Sequence, residues 1–96
     1  MEISKIYNLV KRIPKGKITT YNIVAKKTKI SPRRVGQILK NNPYKNVPCH
    51  RVVLSSAHIG GYKGKHYSKK IKILEKEGVK IKRNRIQDFE EILFRF

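Results

Sequence analysis

The apolar residues of the first forty positions fall into three short helical stripes cut apart by turn residues. This narrows the fold more than any other feature of the chain. Ile3, Ile6, Tyr7 and Val10 follow an i, i+3, i+4, i+7 spacing, which predicts a helix over residues 3–11. Pro14-Lys15-Gly16 breaks it, and Ile18-Thr19 reads as a short extended piece. Thr20 is placed to cap a second helix running to about Lys27, with Ile23 and Val24 inward. Thr28-Lys29-Ile30 forms a turn. Ser31-Pro32 then supplies an N-cap followed by proline at the first helical position. The third helix buries Val35, Ile38 and Leu39 and ends at Asn41-Asn42-Pro43. Two short helices joined by a tight turn make a helix-turn-helix candidate.

Beyond Pro43 the period changes. Val47 to Leu54 reads as a loop entering a short strand, and Ser55-Ser56-Ala57-His58 as a turn. Ile59-Gly60-Gly61-Tyr62-Lys63-Gly64 is too rich in glycine for a helix and suits a loop where backbone comes near something. Ser68 is placed to cap a helix carrying Ile71, Ile73 and Leu74, stopped by Gly78. Val79 and Ile81 form a short extended run. Ile86, Phe89, Ile92, Leu93 and Phe96 predict an amphipathic helical tail with acids on its polar side. At 96 residues there is room for one core and no second domain.

The charge pattern narrows the partner. Between Ile3 and Leu74 stand 18 basic residues and no acidic one. Apart from Glu2, the acids are Glu75, Glu77, Asp88, Glu90 and Glu91, and the net charge is +18. Such a field repels itself and favours a polyanion, with nucleic acid first among the candidates. A ribosomal-type protein or an anionic membrane surface are the alternatives. The charges are not gathered on one long amphipathic helix, so no membrane partner is expected. The outer face of the third helix carries Arg33, Gly36, Gln37 and Lys40, again at helical spacing. Cations flanking a glycine suit close approach to a nucleic-acid backbone; a solvated face with a packing glycine is the plain alternative. The N-terminus has no signal-peptide apolar block, and one cysteine cannot form a disulfide within the chain. The expected location is cytoplasmic, with the nucleoid, or nuclear, and not secreted.

The one cysteine lies in Val47-Pro48-Cys49-His50-Arg51-Val52. A neighbouring base or cation raises the reactive thiolate. A lone cysteine is more often a small buried hydrophobe, so residue types alone leave catalysis open. No metal or cofactor is expected: Cys49 with His50, His58 and His66 lacks any Cys-x-x-Cys or His-x-x-x-His spacing.

Pro48-Cys49-His50-Arg51-Val52-Val53 resembles the active-site signature of the O6-alkylguanine-DNA alkyltransferases. Other blocks match in the family's order. Ile13-Pro14-Lys15-Gly16-Lys17-Ile18-Thr19-Thr20-Tyr21 resembles its Pro-Lys-Gly segment, and Arg33, Val35-Gly36 and Asn42-Pro43 its recognition helix and asparagine hinge. Gly60-Gly61-Tyr62 and Leu74-Glu75-Lys76-Glu77-Gly78 resemble its substrate loop and last helix. The likeness covers about residues 3 to 81.

It implies an α/β, mostly helical fold: a small winged-helix-like helix-turn-helix domain with short strands. Residues 1–82 would be the catalytic and DNA-binding domain, and 83–96 a helical tail of the same unit outside the resemblance. It implies a stoichiometric methylated-DNA–protein-cysteine methyltransferase that flips O6-alkylguanine out of duplex DNA through the minor groove. Cys49 would accept the alkyl group, His50 would generate the thiolate through a water, and Glu77 would orient His50. Tyr21 would donate to the leaving base, Arg33 would fill the gap in the duplex, and Asn42 would brace the turn. Arg34, Gly36, Gln37, Lys40, Tyr21 and Arg51 would join Arg33 at the DNA. Tyr62 would stack on the flipped base, with Lys63, Gly64, Val52 and a pocket lysine around it. The loop from Tyr62 to Glu77 runs one residue longer than the family's, so that lysine is Lys70, favoured by its spacing to Leu74 and Glu77, or Lys69. Arg34 and Gln37 stand where the family commonly has small residues. The resemblance begins almost at the first helix of the family's catalytic domain, so no counterpart of its N-terminal domain is expected, and the tail is expected to cover the surface that domain would protect, or to serve as a dimer or partner contact. The alternative is an alkyltransferase-like protein that binds the lesion without transfer; such proteins replace the cysteine, usually with tryptophan.

Overall fold

The structure is a computed structural model and describes residues 2–60 and 67–96. Three helices form its first half: α1 (Glu2–Val10), α2 (Tyr21–Thr28) and α3 (Pro32–Lys40). The starts of α2 and α3 are fixed by the residues expected to cap them. Thr20 Oγ1 accepts from Ile23 N–H at 3.1 Å, and Ser31 Oγ accepts from Arg34 N–H at 3.2 Å. Each satisfies one of the donors that a helix start leaves open. Lys29 ends α2 in the left-handed conformation (φ 60°), which turns the chain sharply into α3. Ile6, Tyr7 and Val10 of α1 meet Val24, Ala25, Val35, Ile38 and Leu39 in one buried cluster. This is the helix-turn-helix, with α1 packed across its back.

Two strands of two residues link this unit to the rest. β1 (Thr19–Thr20) pairs in parallel with β2 (Val52–Val53), Thr19 opposite Val52. Between them in sequence a 3₁₀ turn spans Cys49–Arg51. Helix α4 (Tyr67–Lys76) follows, starting one residue before Ser68, which therefore lies in its first turn rather than capping it. No helix of the described residues is long and apolar enough to cross a membrane.

The tail departs from its expected helix. β3 (Ile81–Lys82) and β4 (Arg85–Ile86) form an antiparallel hairpin, and α5 (Phe89–Ile92) is a single turn. Arg83 and Asn84 both have positive φ (53° and 62°), the geometry that a two-residue hairpin turn demands. Asp88 is also left-handed (φ 55°) and interrupts any helix running from Ile86. The chain then lies beside β1: Ile18 N–H donates to Ile92 O (3.0 Å) and Phe94 N–H to Ile18 O (2.7 Å). Phe94 and Phe96 pack on the first core cluster, while Phe89, Ile92 and Leu93 pack on a second cluster built from Ile18, Val53, Ile59, Leu74, Val79 and Ile86.

Candidate active site

The β1–β2 pairing assembles the site. Because Thr19–Thr20 runs beside Val52–Val53, Tyr21 at the start of α2 comes close to the turn that carries Cys49. That turn is held on both sides. Asn42 is buried, donates from Nδ2 to Val47 O (3.1 Å) and accepts at Oδ1 from Tyr44 N–H (2.9 Å). Cys49 N–H reaches Val47 O at 2.8 Å, and Arg51 N–H reaches Pro48 O at 3.0 Å. The cysteine itself is only 6% exposed.

His50 and Glu77 stand 27 residues apart in sequence and meet at 3.0 Å, Nε2 to Oε2. Two N–H groups of Arg51 hold the same carboxylate: Nε to Oε1 at 3.0 Å and Nη2 to Oε2 at 2.7 Å. Burial alone would push the Glu77 carboxyl up. Arg51 and His50 outweigh it, so its pKa lies below the ordinary value. An ionised carboxylate only accepts, so Nε2 of His50 carries the proton and Nδ1 is the basic nitrogen. Burial lowers the His50 pKa despite Glu77, so the imidazole stays neutral near pH 7. A neutral imidazole can take a proton.

Lys70 is fully buried, whereas Lys69 is exposed, so Lys70 is the lysine that enters the interior. Its Nζ donates to Val52 O at 2.7 Å and stands 5.9 Å from the centre of the Tyr21 ring. Burial lowers its pKa to about 7, with Cys49 acting in the opposite direction. Burial, with Cys49 adding, pushes Tyr21 up to about 12, so the phenol keeps its proton.

A stability consequence follows. The unfolded Lys70 titrates near 10.5 and the folded one near 7. Between these values the unfolded chain binds a proton that the folded chain lacks, so stability rises with pH. Lys70 is expected to add up to about 1.4 kcal/mol per pH unit across that window. Above pH 10 Tyr21 acts the other way, because its folded pKa is the higher one. Urea unfolding at pH 7, 8 and 9 should show a steeper rise for the native chain than for Lys70→Met. Parallel curves would mean that the buried amine is not titrating.

The outer face of α3 opens on a cleft of about 530 Å³ lined by Tyr21, Arg33, Gly36, Leu54, Ser55 and Gly60. Arg33, Arg34, Gln37 and Lys40 are exposed on this helix. A Cβ placed on Gly36 would meet nothing within 4 Å, so internal packing does not require glycine there. The bare backbone faces outward. Arg34 Nε reaches Glu2 Oε1 at 3.2 Å in an exposed pair of little energetic weight.

One expected DNA contact is corrected. Arg51 is turned inward: besides Glu77, its Nη1 donates to Ile13 O at 2.8 Å, and its side chain is only 15% exposed. The carboxylate and carbonyl inside hold the guanidinium away from the surface. Val52, expected beside the flipped base, gives its carbonyl oxygen to Lys70. Tyr62, Lys63 and Gly64 lie outside the described residues. No group of three or more metal-ligating side chains occurs among the described residues.

Comparison with known proteins gives a consistent set. The family described as 6-O-methylguanine DNA methyltransferase, DNA binding domain, matches residues 3–79. A methylated-DNA–protein-cysteine methyltransferase of Thermococcus sibiricus is 45% identical over 78 residues, covering 79% of this chain and 43% of the relative. That of Sulfolobus acidocaldarius is 43% identical over 78 residues, covering 80% and 49%. The chain thus spans about half the length of the curated relatives it matches. The crystal structure of O6-methylguanine-DNA methyltransferase from Pyrococcus kodakaraensis superposes with a TM-score of 0.73 at 42% identity, covering 80% of this chain and 46% of that one. The structure of S. pombe Atl1 bound to damaged DNA containing O6-carboxymethylguanine gives a TM-score of 0.85 at 30% identity, covering 97% and 94%. The likeness to Atl1 extends into the C-terminal tail, beyond the limit near residue 81 set by sequence resemblance.

Proposed function

The chain belongs to the 6-O-methylguanine DNA methyltransferase family, and we propose that it repairs DNA by moving an alkyl group from O6-alkylguanine to Cys49, once per molecule. The observation that carries this is the relay beside the cysteine, with His50 Nε2 3.0 Å from an ionised Glu77. With Nε2–H directed at the carboxylate, Nδ1 of His50 takes the Cys49 proton through a bridging water. The thiolate attacks the alkyl carbon, a C–S bond forms and the C–O6 bond breaks. Tyr21, protonated at neutral pH, donates its proton to the departing guanine and is reprotonated by the proton that His50 took from Cys49. The product is a thioether that none of these groups can cleave.

The base must first leave the stack, which costs a few kcal/mol. Arg33 on the exposed face of α3 fills the gap, while Gly36 lets the backbone approach the groove. Arg34, Gln37 and Lys40 hold the flanking DNA. Lys70 and Val52 stand beside the flipped base, and Tyr62, Lys63 and Gly64 are the further residues that would contact it. The protein works with DNA, in the cytoplasm or nucleus.

Two results test the interface. If about five phosphates are neutralised, the log–log salt slope of duplex binding is expected near −4 to −5, roughly 0.9 per phosphate. Arg33→Ala should slow repair of duplex DNA about tenfold or more yet leave reaction with free O6-benzylguanine unchanged, because only the duplex needs its gap filled. Equal losses on both substrates would remove Arg33 from base flipping.

A second reading is lesion binding without transfer, favoured by the match to Atl1 over 94% of that chain. Duplex DNA carrying a labelled O6-methyl group separates the two. Label passing to the protein supports transfer. Tight binding with the label left on DNA supports the second reading.

A further inference from the structure

We infer that Arg51 is a positioning residue of the transfer site: it fixes Glu77 in place and divides that carboxylate's charge, so that His50 is oriented yet stays neutral. This rests on the reading above that Cys49 accepts the alkyl group.

The geometry is that of a clamp. Arg51 has two N–H groups on Glu77, at 3.0 and 2.7 Å, and a third on Ile13 O at 2.8 Å. A guanidinium presents its donors in a fixed plane, so three bonds in two directions leave it little freedom. The side chains of His50, Glu77 and Arg51 are only 13%, 11% and 15% exposed. At that burial the interaction is screened weakly by water.

The anchor is built into the fold. Ile13 precedes the Pro14-Lys15-Gly16 turn, closed by Lys17 N–H to Pro14 O at 3.1 Å. Gly16 has a φ of +87°, and a Cβ there would come within 3.3 Å of Glu77 O. One turn therefore holds Arg51 through the Ile13 carbonyl and packs against the Glu77 backbone through Gly16.

The electrostatic consequence has a sign. Oε2 of Glu77 faces both His50 and Arg51. Alone, the carboxylate would favour an imidazolium, which cannot accept the thiol proton. The Arg51 charge offsets that pull. Burial lowers the His50 pKa most; Arg51 and Lys70 lower it further against the pull of Glu77, and Cys49 stands beside it in the chain.

The test is single-turnover transfer from free O6-benzylguanine, followed against pH, with the final extent of labelling counting active molecules. Arg51→Met removes the charge at similar length. Its rate should fall about tenfold at neutral pH, and the acidic limb of the profile should move up by about one pH unit. Arg51→Lys keeps the charge and loses the fork. Its limb should stay in place while the rate drops a few-fold. A merely structural arginine would lower the active fraction and leave both rate and limb unmoved in the molecules that remain; that result overturns the proposal. So does a loss confined to duplex DNA with a shallower salt slope, which would make Arg51 a phosphate contact. If Arg51→Met does not fold, Arg51→Lys decides: native rate, or a displaced limb, rejects the clamp. A native chain that labels no Cys49 removes the reading beneath the proposal, a failure distinct from a native chain that transfers and variants that match it.

Discussion

Cys49→Ser is expected to abolish alkyl transfer, by roughly a thousandfold or more, while duplex binding stays within about twofold. A thiolate is the reactive species, and an alcohol is far harder to ionise with the same neutral imidazole. The exposed cations of α3 lie elsewhere, so any phosphate contacts they make would be left intact. Stability enters as a control. Cys49 is 6% exposed within an apolar cluster, so a serine hydroxyl without a partner there costs about 1–3 kcal/mol. A thermal melt run beside the transfer assay separates lost chemistry from lost fold. A folded Cys49→Ser protein that still accepts label would place the acceptor elsewhere.

Removing residues 84–96 is expected to destroy the cooperative fold. The tail contributes Ile86, which is buried, and the partly buried Phe89, Ile92, Leu93, Phe94 and Phe96. A fully buried side chain of this kind contributes about 1.5–3 kcal/mol. Counting the five partly buried ones at about half, the set amounts to on the order of 5–10 kcal/mol, against a typical total of 5–15. The deletion also strips Ile18 of both backbone partners and Ile59 of its bond to Asn84 O. Ile18 leads directly into Thr20 and Tyr21, so the damage reaches the site. Circular dichroism should show no cooperative melt for the truncated chain. A melt within about 10 °C of the full chain would mean that the tail is dispensable to the core and serves an outside surface.

The parts legible in the sequence were those set by neighbours along the chain. Thr20, Ser31-Pro32 and the stripe Val35, Ile38, Leu39 each carry their signal within four residues, and α2 and α3 begin and end accordingly. Resemblance pointed to His50 and Glu77, which the structure brings together, and the spacing to Leu74 and Glu77 favoured Lys70, the buried lysine, over Lys69. Long-range partners that the resemblance did not supply were not legible. Arg51 looked like one more surface cation because the acid that captures it stands 26 residues away. The tail misled through period: Ile86, Phe89, Leu93 and Phe96 suit a helix, yet Arg83, Asn84 and Asp88 take positive φ. Asn84 offered a local hint, since asparagine tolerates that conformation better than most residues. The pairing of Ile18 with Leu93 has no local trace at all.

The most direct test of the account is intact mass after reaction with excess lesion-containing duplex, followed by tryptic mapping. Cleavage after Lys45 and Arg51 isolates residues 46–51 around Cys49. One alkyl group per active molecule is expected, with a plateau that further substrate does not raise and all of the added mass in that peptide. More than one group per molecule, continued turnover, or mass on any other peptide would contradict single transfer to Cys49.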